Sequence, residues 1–146
     1  MNASTSLTIA LTLSLVGWFT ACRLVTAPSG EERVDFASQI KPMFEVSCLE
    51  CHNHVDAPRM GGLNLETRRT ALSTGVHAPV IIAGAPERSV LVRVLKLGHA
   101  HPAAMPPTPD KLWLEKQHLV EQWIREGAQW PEDIRLVRPQ DWNTAP

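Results

Sequence analysis

The segment Cys48-Leu49-Glu50-Cys51-His52 sets two thiols three positions apart, with an imidazole directly after the second. This is the C-x-x-C-H pattern of covalent haem attachment. Near a helix end, thiols at that spacing reach the two vinyl groups on one edge of a porphyrin. The next residue, His52, is then held beneath the ring, where its imidazole can bind iron. A chain of this composition would carry the pattern by chance about 0.002 times, so accident is a poor explanation. Three other readings compete with it. A thioredoxin-like pair needs a βαβ context, and none surrounds these cysteines. A zinc site built from Cys48, Cys51, His52 and His54 lacks the second, separated ligand pair of structural zinc. A plain disulfide leaves His52 without a role.

Upstream of the motif, Phe36, Ile40, Phe44 and Cys48 recur at i, i+4, which predicts a helix with one apolar face. Pro42 lies inside that run, so the helix either starts there or kinks there. Downstream, NHVDAPRMGG reads as a loop, and Glu66 to Leu72 as one or two helical turns. PVIIAG, from Pro79 to Gly84, is a short strand or an extended buried connector. Pro86 then opens a second helical stretch with Val90, Leu91, Val94 and Leu95 on one side and Gly98 as its stop. After the stiff segment HAHPAAMPPTP comes the clearest helix. Thr108 is its N-cap, Pro109 its first residue, and Asp110 suits its positive end. Leu112, Leu119, Val120, Trp123 and Ile124 form its stripe, and Gly127 ends it. The expected domain runs over residues 34–136, with a loosely attached tail over 137–146.

The chain has 146 residues, room for one modest domain. A net charge of −1 gives no strong field and argues against a general nucleic-acid binder. Twelve prolines point to much ordered loop, leaving few residues for a core, and a large apolar cofactor would help supply one. Leu7 to Ala21 reads LTIALTLSLVGWFTA, the length of a secretory apolar region, and Arg23 interrupts it too early for a spanning helix. Residues 1–21 are therefore expected to be an export signal, although MNASTS lacks the usual positive charge, and residues 22–33 a linker. Cleavage before Cys22 would resemble a bacterial lipoprotein site, and cleavage after Ala27 a plain secretory one.

The order LNLETRRTAL, IIAGAPERSVLVRVL, AMPPTP and WIREGAQW after the motif, with the lead-in VDFASQIKPMFEVSC, resembles the planctomycete-type cytochrome c domain over about Val34 to Trp130. The resemblance implies a mostly helical single-haem fold, His and Met axial ligands, and export across the cytoplasmic membrane. One departure is Asn53, where the family usually has glycine after the haem histidine. Met105 matches the family's Met-Pro-Pro and is the leading distal ligand. Met60 stands too close to His52 to swing to the opposite face, and Met43 falls in the first helix as core. His54, His99 and His101 remain alternatives, while His77 and His118 read as surface residues. Phe36, Phe44, Trp123 and Trp130 read as core, with Trp123 in reach of the ring. Arg59, Arg68, Arg69 and Arg93 are solvated charges from which one or two could pair with haem propionates.

The expected molecule is an all-α, small cytochrome c-like helical domain with long proline-rich loops around one covalent haem. It would be a one-electron carrier for a redox partner protein, not an enzyme, located in the periplasm or on the outer face of a membrane. A haem-based enzyme or sensor with an open iron position, and a zinc-binding exported module, are the rivals. Export predicts a mature N-terminus near Cys22 or Pro28, read by N-terminal sequencing or mass; unprocessed protein recovered soluble from the cytoplasm would refute it. If Cys22 is lipidated, Cys22→Ser should move a membrane-bound form into the soluble fraction.

Overall fold

The computed structural model describes residues 33–108 and 112–144. The expected export signal, Cys22 and most of the linker lie outside the described residues. Asp35 opens the first helical segment: its Oδ1 accepts from the Ser38 amide at 2.8 Å and from Ser38 Oγ at 2.6 Å. Phe36–Ile40 then winds as a wide π turn in which the Lys41 amide reaches back to the Phe36 carbonyl. Pro42 accounts for the widening. It has no amide to donate, and its ring would press on the carbonyl four residues back, so the helix takes in an extra residue before tightening. It continues as α1, Lys41–Ser47.

α2, Arg68–Ser73, begins two residues later than the sequence suggests. Its start is set by a reciprocal cap in which the Thr67 and Thr70 hydroxyls each accept from the other's amide, both at 3.2 Å. PVIIAG is a connector, not a strand, and its backbone bonds are spent on neighbours. The Ile82 amide donates to Ser89 Oγ at 2.9 Å, the Gly84 amide to the Ile124 carbonyl at 2.7 Å, and the Val80 carbonyl accepts from Leu91 at 3.0 Å. Pro86 opens only a 3₁₀ turn, Pro86–Arg88, because Ser89 returns to an extended conformation. α3, Val90–Lys96, starts afresh from there and ends before Gly98. Among the described residues there is no strand, only an isolated bridge between Thr67 and Arg135.

α4 is Leu114–Arg125, and its start corrects the sequence reading. Thr108 is exposed and caps nothing among the described residues; Pro109 and Asp110 lie outside them. Burial of Leu112 fixes the approach instead: Trp113 stays extended as the cap residue, and Gln117 Nε2 donates to the Leu112 carbonyl at 2.7 Å. The far end behaves as expected. Gly127 takes φ 101°, and the Ala128 amide closes on the Trp123 carbonyl at 2.9 Å. Lys96 and Glu121 join α3 to α4 at 2.5 Å.

The core is aromatic. Phe36 stacks on Trp130 with ring centroids 4.2 Å apart, and Phe44 meets Trp123 edge-on at 5.8 Å. Each indole N–H is satisfied within the cluster's own turn: Trp123 donates to the Gln129 carbonyl at 2.8 Å and Trp130 to that of Ile134 at 2.9 Å. The residues after Leu136, expected to hang loosely, are tied down. The Val137 amide donates to Glu45 Oε1 at 2.8 Å, and Gln140 Nε2 to Glu50 Oε2 at 2.9 Å. Among the described residues no helix is long and apolar enough to cross a membrane.

Phe44 is wholly buried between both tryptophans. Phe44→Ala should therefore cost about 3–5 kcal/mol. A lowered urea midpoint with an unchanged slope would show it.

Candidate functional site

The chain leaves α1 through the C-x-x-C-H segment as a tight turn. The amides of Cys48 and Leu49 both reach the Phe44 carbonyl, at 3.0 and 2.9 Å, and the His52 amide reaches that of Cys48 at 3.0 Å. The Leu65 amide then donates to the His52 carbonyl at 2.8 Å, drawing the following loop back over the turn. This arrangement presents Cys48, Cys51 and His52 to a cavity of about 510 Å³. The apolar face predicted for the helical stretch after Pro86, Val90, Leu91, Val94 and Leu95 on α3, forms part of its wall, as do Met105, Pro106 and Pro107. The four residues singled out from the sequence thus line one mostly apolar space.

Both cysteine thiols are unbridged. Cys48 keeps partial solvent access, but protein packs closely around its thiol; that shielding, with the Cys51 thiol beside it, pushes its pKa up to about 12. A thiol held protonated in this way is the reverse of a reactive redox cysteine. Burial draws the His52 imidazole below its ordinary pKa, and the Leu63 carbonyl opposes this in part. The ring is neutral at pH 7, the state in which imidazole ligates a metal. His52 Nδ1 is buried with no partner in hydrogen-bonding geometry, although the Leu63 carbonyl lies close enough to favour its protonation. A shaped apolar cavity, two thiols and a neutral imidazole at its edge fit a large flat iron-bearing ring.

Met105 is half-buried, and its amide donates to the Val94 carbonyl of α3 at 3.1 Å. Its loop is folded on itself through bonds from His101 to the Gly98 carbonyl and from Ala104 to that of His101, both 2.9 Å. His99 and His101 are exposed and do not line the cavity, and His101 Nδ1 accepts instead from the Ala103 amide at 3.1 Å. His54 turns outward to Glu66, and Met43 is core. Trp123, expected within reach of the ring, does not line the cavity; its indole is committed to the aromatic core. None of Arg59, Arg68, Arg69 and Arg93 lines it either: Arg59 pairs with Asp56 and Arg68 with Glu132.

Sequence reasoning set Met60 aside, yet it lines the cavity with Val46, Leu63 and Leu65. The alternation of Leu63 and Leu65 about Asn64 was the available signal for an extended apolar wall. A second cavity of about 320 Å³ lies beyond the turn, where His54, Glu66, Arg135, Arg138 and Asp141 are already paired with one another.

Residues 48–109 match the family model described as Planctomycete cytochrome C. The match is narrower than the resemblance read from the sequence but includes both the C-x-x-C-H turn and Met105-Pro106-Pro107. No curated protein and no solved structure matches the chain.

Glu66 braces this region. Burial raises its pKa, but hydrogen bonds from His54 and Asn64, with the charges of His54 and Arg135, outweigh that and hold it below the usual 4.5. A carboxylate depressed on folding stabilises above its unfolded pKa and loses that contribution as pH falls through the folded one. Glu66→Gln should therefore lower stability at neutral pH, and the gap from the parent should narrow below about pH 4.5, as urea midpoints across pH would show.

Proposed function

We propose that this chain, which carries a planctomycete-type cytochrome c domain, holds one haem covalently and passes single electrons outside the cytoplasm. The observation that carries the reading is the convergence of Cys48, Cys51, His52 and Met105 on one apolar cavity. When bound, haem supplies an iron that changes oxidation state by one electron. Cys48 and Cys51 would hold the ring by thioether bonds, and His52 would offer a neutral imidazole to its iron. Met105 would offer its thioether as the second ligand. Its bond to the Val94 carbonyl and the fixed φ of Pro106 and Pro107 hold a weak ligand in place. Val90, Leu91, Val94 and Leu95 would shield a bound haem from water, which together with its ligands would tune the potential.

The domain is taken to span residues 34–136 together with the following segment that Glu45 and Glu50 tie to it, with a redox protein as its partner and a periplasmic or outer-face location. Anchoring through lipidated Cys22 would need more than one acyl chain. Met105 on the cavity wall favours a carrier over an enzyme or sensor with an open iron position. A zinc module is disfavoured because His54, the fourth ligand it would need, is bonded to Glu66 and does not line the cavity that holds Cys48, Cys51 and His52.

Expressed with a cytochrome c maturation system, the protein should retain its haem through denaturation and acidified organic extraction, with a mass one haem above the polypeptide. Haem that washes off would overturn covalent attachment, and the double change of Cys48 and Cys51 to Ala should abolish it. Oxidised Met105→Ala should lose the weak far-red band of sulfur–iron coordination, fall in potential, and bind cyanide faster. A parent-like spectrum and potential would exclude Met105 and turn attention to Met60.

A further inference from the structure

Asn53 occupies the position after the proposed haem-ligating histidine, where glycine is the family habit, and the residue is 2% exposed. Its carboxamide is fully engaged. Nδ2 lies 3.0 Å from the Leu49 carbonyl, the Glu50 carbonyl and Asp56 Oδ2, so its two hydrogens serve three acceptors. Oδ1 accepts from the amides of Val55 at 2.9 Å and Asp56 at 3.0 Å. Leu49 and Glu50 are the two residues between the cysteines, so the side chain folds back over the attachment turn itself. It supplies their carbonyls with donors that a continuing helix would give from its backbone. Asp56 answers in kind: its carboxyl is held below the usual range first by the bond from Asn53, against burial, with Arg59 assisting.

Glycine's freedom is not needed at this position. Among the described residues Ala128 is the non-glycine residue with positive φ, so Asn53 sits in ordinary backbone space. What asparagine adds is its side-chain bonds. The His52 backbone is bonded to Cys48 before it and Leu65 after it, and the Asn53 carboxamide locks the intervening turn from outside.

We infer that Asn53 is a positioning residue for His52, fixing the attachment turn so that the imidazole plane keeps one direction. The inference rests on the haem reading above. In a low-spin ferric haem the direction of the histidine plane governs how unpaired spin spreads over the ring methyls, and partners beyond the first ligands tune the metal. A side chain that only stabilised the fold would leave that distribution alone.

The test uses the full, haem-loaded chain with Asn53→Ala, Asn53→Gly and Asn53→Ser. Thr67→Ala, which breaks the α2 cap away from the cavity, serves as the control. The readouts are the haem-methyl shifts of the oxidised protein, the midpoint potential and Tm. Ala and Gly should change the order or spread of the methyl signals and displace the potential. Ser, which keeps an acceptor for the Val55 and Asp56 amides, should return part of the way. The control should lower Tm with the parent pattern intact. If Ala and Gly lower Tm but keep the parent pattern and potential, the inference is wrong. If neither loads haem, Ser decides: a displaced pattern supports the inference and a parent-like one overturns it. A parent chain that binds no haem would defeat the haem reading itself, which is a distinguishable result.

Discussion

The stack of Phe36 on Trp130 joins the start of the domain to its end, and the geometry of the cavity depends on it. α1 has only seven residues, too few to persist alone. It is held because Phe36 and Phe44 are clamped by Trp123 on α4 and by Trp130 just beyond it. The turn at Gly127 and Ala128 brings Trp130 back over the helix that carries Trp123. The C-terminal end of α1 is where the Cys48 turn begins. The thiols therefore owe their position to rings that do not touch the cavity.

Around this apolar frame runs a set of polar ties that reach the attachment turn from outside. Glu45 is buried beneath the segment after Leu136, paired with Lys41 at 2.7 Å and receiving the Val137 amide. A charge so placed must be paired, because an uncompensated one in the interior is strongly destabilising. Glu50 and Glu66 make equivalent ties to Gln140 and Arg135. Glu45 and Glu50 thus bind the segment after Leu136, which is why it does not behave as a tail, and Glu66 secures the residues just before it.

Local patterns in the sequence read well where local physics decides. The i, i+4 recurrence of Phe36, Ile40 and Phe44, the stripe on α4, the stop at Gly127 and the thiol pair all follow from short-range spacing. The face of Val90, Leu91, Val94 and Leu95 was legible as apolar, but hydropathy alone cannot say whether such a face meets protein or lines a cavity. Thr108-Pro109-Asp110 has strong capping chemistry, yet tertiary burial of Leu112 governs where α4 starts. Ser89 breaks the helix expected from Pro86 because its hydroxyl is committed to Ile82 and Ala85. Met105 could be picked out by its prolines, whereas Met60 reaches the wall only through the return of its loop. Asn53 was visible as a departure from habit, but its five bonds exist only once the turn has folded.

The stretch matched by the family model, residues 48–109, contains nearly all of the cavity wall and none of the four rings that brace it. Phe36 and Phe44 precede it, and Trp123 and Trp130 follow it. The portion that carries the likeness is therefore not the portion that supplies its support. A fragment cut to the limits of the likeness would keep the thiols, the imidazole and the thioether but lose the scaffold that holds them apart. Resemblance and mechanical support are here lodged in different lengths of one chain.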